Sequence, residues 1–478
     1  MRSSCIHRIL TTLACSAAAL TMLVACASNA SAQAANANNN AANNNNNNNT
    51  TGGLAPAGVE IDADGVLRVK FNDPRVTAQR AMAARQALPT DLATRSKMRK
   101  VSLNRLEKVL AEELATGAKP QTALLALAGM TRLEYVMFYP DSGEIVIAGP
   151  AEGFVPDSTG RMIGIETGSP TLLLEDLVVA LRAFPPQGKS SNVISVSIDP
   201  TQEGLARMQA ALRQIGGVLQ GPQQIPLIAD TLRQSLGLQT VSIRGVSPNT
   251  HFAHVLTEAD YRMKLIGIGL ESPTVPLTTY VAKMSSVNIP SNALIRWYFV
   301  PDYESLAVSD DGLAMKLVGQ GVKLIGEDER VRADGSRDSS LRSNPASKAF
   351  TTDFTKKYSA IAATNPIYAQ LRNLIDMSIV AAYMQDRQFY DQANWDLGVL
   401  GDESKFAVEV LPAPRQVETA INAFMKGSRL VTPIGGGVAI EARKAITEES
   451  IRKDDGTIQT QRSKISLKDI PASQWWWD

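Results

Sequence analysis

The sequence predicts an α+β protein: mixed, hairpin-rich sheets with interleaved amphipathic helices, a small α/β layer in the middle of the chain, and a disordered N-terminal tether. Three observations carry that class. Apolar and polar residues alternate around Asp-Gly turns, the pattern of half-buried strands joined by tight hairpins. Other stretches set leucines three and four residues apart, the period of a helix with one buried face. Between Ala27 and Gly58 there is no charge, and Asn43 to Asn49 is all asparagine, which leaves too little apolar surface to fold.

The chain opens with Arg2 and Arg8, an apolar stretch from Leu10 to Ala25, and then Leu23-Val24-Ala25-Cys26. Charge, a short apolar core and small residues, in that order, make an export signal. In the lipoprotein-type reading residues 1–26 are the signal region, cut before Cys26, which is lipidated and becomes the mature N-terminus. Cleavage after Ala30-Ser31-Ala32 would instead remove residues 1–32 and release a soluble form. Residues 27–58 then form the Asn-rich linker. All three cysteines (Cys5, Cys15, Cys26) lie in the leader, so disulfides, thiolate zinc sites and cysteine nucleophiles are excluded from the folded part. Lys and Arg number 48 against 47 Asp and Glu, a balance that gives no global steering toward nucleic acid.

The first folded region, 59–186, begins with a hairpin: Val59-Glu60-Ile61 and Val66 to Phe71 flank Asp62-Ala63-Asp64-Gly65. Similar punctuation recurs at Pro140 to Gly143, Ser309 to Gly312 and Asp454 to Gly456, each of which predicts a hairpin. Ser102 is placed to cap a helix carrying Leu103, Leu106, Leu110 and Leu114. Thr171 to Phe184 forms a second helix, stopped by Pro185-Pro186. The second region, 187–326, starts with the strand Val193 to Ile198. An amphipathic helix with Leu205, Met208 and Leu212 follows, then a helix from Pro226 to Leu236, a strand from Thr240 to Ile243 and a helix from Thr250 to Ile266. Leu294 to Pro301, Leu306 to Val308, Ala314 to Val318 and Val322 to Ile325 complete it as strands. Residues 327–347 are polar and read as a loop. The last region, 348–478, reads as helical, with a buried central helix from Pro366 toward Phe389 and a Trp-rich tail.

Three stretches carry a resemblance: Asp260 to Gly267, Arg296-Trp297-Tyr298-Phe299-Val300-Pro301-Asp302-Tyr303, and Thr432-Pro433-Ile434-Gly435-Gly436-Gly437. They resemble signature segments of an exported planctomycete family known as a domain of unknown function, DUF1598. The resemblance extends from about Gly58 to Arg443. It implies export and one architecture, and it brings no catalytic residue or cofactor with it.

Candidate chemistry is sparse. His251, His254 and Glu258 share one flank of a predicted helix, a spacing that could hold a metal with two imidazoles and a carboxylate. With Phe252, Val255, Leu256, Ala259 and Met263 as the buried stripe, His254 and Glu258 point toward solvent. Ser450 and Lys453 form only a chance Ser-x-x-Lys, and Gly435 to Gly437 and Gly319 to Gly321 lack the rest of a nucleotide loop, so both read as turns. Asp302 and Glu304 beside Trp297, Tyr298 and Tyr303 form an aromatic-acidic cluster of the kind that stacks on sugar rings. Trp475, Trp476 and Trp477 form a candidate binding surface that needs to dock, on a partner, at a membrane interface or, by default, on the chain itself. The expectation is therefore an exported cell-envelope protein in the periplasm or outer membrane, without a cofactor. It binds an envelope protein or polysaccharide without catalysis and attaches to membrane through Cys26. The alternative is a carboxylate-dependent hydrolase of envelope polysaccharide.

Overall fold

Two mixed β-sheets and a buried central helix organise the chain in a computed structural model. It describes residues 58–215, 222–284, 293–302, 305–331, 337–339, 344–422, 424–426, 429–431 and 434–478. The expected leader, Cys26 and the Asn-rich linker lie outside the described residues. The larger sheet has nine strands in the spatial order Val59–Ile61, Val66–Val69, Gln416–Val417, Gln239–Arg244, Ile194–Asp199, Ile434–Ile440, Ala293–Asp302, Gly321–Val331 and Arg337–Ser339. Neighbours are antiparallel except at two places, where Val66–Val69 meets Gln416–Val417 and where Ile434–Ile440 meets Ala293–Asp302. The second sheet orders Ile451–Lys453, Ser305–Val308, Ala314–Val318, Tyr135–Tyr139, Glu144–Ala151, Ser96–Ser102 and Trp476–Trp477. The class is α+β, as the alternating patterns predict. Each sheet draws strands from widely separated stretches of chain, so regions 59–186, 187–326 and 348–478 divide the sequence and not the sheets.

Local chemistry explains most elements. In the first hairpin Asp62 Oδ1 accepts from the amides of Asp64 (3.1 Å) and Val66 (2.9 Å), and Gly65 supplies the positive φ of +83°, a turn closed by its own aspartate. Tyr135–Tyr139 and Glu144–Ala151 pair around Gly143 (φ +66°), whose own amide donates to Tyr139 O (2.9 Å) to close the turn through the backbone. Ser102 caps Leu103–Ala115 by accepting from Arg105 N, and Leu103, Leu106 and Leu110 are fully buried. The second helix is Leu174–Ala183, three residues shorter at its start than expected. In the middle layer the helices Gln202–Ile215 and Ile225–Leu236 pack on each other through Leu205, Met208, Ile228, Leu232 and Leu236. They connect two antiparallel neighbours in the larger sheet. The central helix, Pro366–Asp386, buries every residue except Pro366, Arg372, Gln385 and Asp386. Among the described residues no helix is long and apolar enough to cross a membrane.

Four expectations change. Residues 327–347 are not all loop: Gly321–Val331 extends into them and pairs with Arg337–Ser339. Near a sheet edge the backbone ladder is enough to hold a strand of polar residues. The region 348–478 is not uniformly helical, since Ile434–Ile440 runs through the larger sheet. Gly435 to Gly437 are therefore strand and not turn. A Cβ on Gly436 (φ +146°) would lie 2.0 Å from Trp297 O, and one on Gly437 would lie 2.1 Å from Val196 O, so close strand approach from both sides requires glycine. Finally, Asp454-Asp455-Gly456 begins the helix Thr457–Ser463, with Asp454 Oδ2 accepting from Ile458 N and Gln459 N.

Candidate functional site: a charged helix inside the core

The helix His251–Gly267 carries both histidines of the folded region together with Glu258, Asp260, Arg262 and Lys264. Thr250 caps it by accepting from Ala253 N, and Phe252, Val255, Leu256, Ala259 and Met263 form its apolar stripe as predicted. Most of the remaining surface is covered as well, with Tyr261, Arg262 and Leu265 half-buried. The helix lies against the strands Ile194–Asp199 and Ile434–Ile440 on one side and the helices Leu174–Ala183 and Pro366–Asp386 on another. His254 (4 % exposed) and Glu258 (0 %) are thus buried, which corrects the expectation that they face solvent.

Burial of charge is tolerated only where partners are supplied, and each group here has one. Asp157 folds the turn between the short strands Phe154–Pro156 and Met162–Gly164 by accepting from Thr159 N and Arg161 N. That turn aims Arg161 inward, where Nη2 donates to Glu258 Oε2 (2.8 Å) and Nε donates to Gln370 Oε1 of the central helix (2.6 Å). Arg262 reaches back to Glu258 Oε1 (3.4 Å) and donates to Glu271 (2.6 Å). The result is a chain of alternating charges, Arg161, Glu258, Arg262 and Glu271. On the opposite flank Lys264 Nζ bridges Asp260 Oδ2 (2.8 Å) and Ile198 O (3.1 Å). Burial raises the Asp260 carboxyl to about 6 despite the attraction of Lys264, and lowers the Lys264 ammonium despite Asp260.

The histidines diverge. His251 Nδ1 lies 2.9 Å from both oxygens of Asp176 on the Leu174–Ala183 helix. Burial opposes its proton, but the Asp176 charge and hydrogen bond prevail and raise its pKa. His254 Nε2 donates to Pro412 O at 2.7 Å; burial holds it near 4, so it is neutral at pH 7. The two rings and Glu258 therefore address three different partners and not a common point. Among the described residues no group of three His, Cys, Asp or Glu side chains is placed to hold a metal ion.

The remaining candidates scatter. Trp297 is fully buried, its Nε1 donating to Ser347 Oγ (2.9 Å) and its ring packed on Tyr280 and Phe350. It is a core residue and not a binding surface. Tyr298, on the other face of the strand, is partly exposed and stacks with Arg296 at 5.1 Å. Asp302 pairs with Lys323 (3.3 Å) at the mouth of a cleft of about 330 Å³ that also contains Glu441 and Lys444. Tyr303 and Glu304 lie outside the described residues. The tryptophan tail docks on its own chain: Trp476 and Trp477 pair with Val101 and Lys100, Trp475 joins the main core, and Trp477 packs with Val146 and Leu467. Arg99, fully buried, lies 4.5 Å from the Trp476 ring centre and donates to both carboxylate oxygens of Asp478 (2.9 and 3.0 Å). Arg99 is missed by sequence reasoning, because its partner is 379 positions away.

These features define an α+β protein whose densest ionisable cluster is enclosed and internally paired. A family described as a protein of unknown function (DUF1598) matches residues 196–280. That span includes the whole charged helix and the segment 260–267, whereas the segments 296–303 and 432–437 lie beyond it, so the match is narrower than the resemblance suggested. No curated protein and no solved structure matches the chain.

Proposed function

We propose that the chain is an exported cell-envelope protein that binds an envelope component without catalysing a reaction on it, anchored in the periplasm or outer membrane through a lipidated Cys26. One observation carries the noncatalytic part. The residues most like a metal or acid-base set, His251, His254 and Glu258, are buried and engaged with Asp176, Pro412 and Arg161, whereas catalytic groups need access to substrate. The leader pattern and the cysteine-free remainder of the sequence support export. The near-zero net charge favours a partner other than nucleic acid.

The hydrolase alternative centred on Asp302 and Glu304 keeps only Asp302 among the described residues, in a cleft that it shares with Glu441. Each carboxylate there is paired with a lysine, Lys323 and Lys444 respectively. Envelope fractionation with mass spectrometry of the N-terminus tests the placement. The expected product begins at acylated Cys26 in the membrane fraction, and an uncut chain in the cytosol would overturn it.

A further inference from the structure

The helix Pro345–Lys356 presents charge outward. Beside it, between the short helix Tyr280–Lys283 and its own exposed face, runs a cleft of about 480 Å³ lined by Thr278, Lys283, Lys348, Thr352, Asp353 and Lys356. Lys348, Thr352 and Lys356 recur every fourth residue, so they stand on one face with the two ammonium stems about 12 Å apart along the axis. Lys283 adds a third cation from across the cleft. Among the described residues none of these three lysines has a carboxylate partner.

The one acid among the described residues of the cleft is already committed. Asp353 accepts from Thr278 N (3.0 Å) and pairs with Lys357 (3.0 Å). Burial acts against its charge, but these bonds prevail and hold its carboxyl below the usual range. It therefore stays anionic without cancelling Lys283, Lys348 or Lys356. Three ammonium groups without a carboxylate partner among the described residues repel one another along an open groove, and an anionic ligand removes that repulsion. Among the described residues no aromatic ring lines the groove, so they offer nothing for bases to stack on. Lysines act as adaptable point charges and threonines as hydroxyl partners, a lining suited to a hydroxyl-rich chain with repeated charges.

We infer that this cleft binds an acidic polysaccharide through its carboxylate groups, with Lys283, Lys348 and Lys356 contacting successive charges and Thr352 a sugar hydroxyl. The inference deepens the proposed binding function by assigning it a site and a ligand class.

The test is fluorescence anisotropy on the full chain with labelled polygalacturonate, with neutral dextran and polyphosphate as comparison polymers. Polygalacturonate is expected to bind, dextran not to bind, and Kd to rise at least tenfold as salt increases from 50 to 300 mM, on the order expected for exposed charges. Lys348→Glu combined with Lys356→Gln should weaken binding at least tenfold without shifting Tm, while Lys189→Glu, an exposed lysine elsewhere, should leave it intact. Unchanged binding by the double variant, equal binding of dextran, or binding of polyphosphate alone would overturn the site. Polygalacturonate binding that survives the double variant would leave the envelope-binding reading standing. New reducing ends in the bound polymer would defeat the noncatalytic reading and leave the cleft in place.

Discussion

The helices His251–Gly267 and Pro345–Lys356 both carry charges at helical spacing, yet they dispose of them in opposite ways. The first buries Glu258, Asp260 and Lys264, half-buries Arg262, and neutralises each against a neighbour on its own or another element. The second leaves Lys348 and Lys356 in solvent along a cleft. A charged stripe is thus not in itself a surface. Its role depends on whether the remainder of the chain delivers partners, and partners convert the stripe into mortar between layers, whereas their absence leaves it free for a ligand.

The strongest way to break this contrast is to remove one buried charge. Glu258→Ala leaves Arg161 enclosed without its carboxylate, and stability should fall by about 3–5 kcal/mol, as for other broken buried pairs. Urea unfolding checks it. A loss below about 1 kcal/mol would mean that the core charges are not mutually dependent.

The histidine between these pairs sharpens the comparison through pH. Burial holds His254 near 4, against about 6.5 in an unfolded chain. Between those values the unfolded state takes up a proton that the folded state refuses, so acidification favours unfolding. Relative to His254→Gln, the native protein should lose up to about 3 kcal/mol as pH falls from 6.5 to 4. Asp260, raised to about 6, works in the opposite direction in both proteins and cancels from the difference. Parallel stability profiles would contradict the enclosed, neutral His254.

The smallest effect belongs to the open helix. Lys348→Glu with Lys356→Gln should change unfolding free energy by less than about 0.5 kcal/mol, the range for surface substitutions without a buried partner. A larger loss would show that these lysines hold the fold together and are not free for a ligand.

The sequence foretold the elements better than their surroundings. The hairpin at Asp62 to Gly65 and the capped helix at Ser102 depend on bonds spanning two to four residues, which local pattern reveals. The sidedness of His251–Gly267 depends on Asp176, Arg161 and Pro412, which lie 75, 97 and 158 positions from their partners. An apolar stripe identifies one buried face but says nothing about a second that is closed by paired charges. The strand Ile434–Ile440 was obscured because its glycines read as a turn, although they are required by the close approach of Trp297 and Val196. The helix Pro74–Ala87, capped by Asp73, escaped notice because none of its residues is buried, leaving no stripe to detect. Of the candidate site, the enclosed ion pairs were illegible. The two lysines eight residues apart, Lys348 and Lys356, were visible but had no meaning until the cleft beside them was known.

The most direct measurement is a double-mutant cycle joining Arg161→Met, Glu258→Leu and the two combined, read by denaturant unfolding. If Glu258 is committed to Arg161, each single change is severe and the double variant recovers a coupling of about 2 kcal/mol or more. Losses that add to within about 0.5 kcal/mol would contradict the pairing and return Glu258 to the list of residues available for a metal or a substrate.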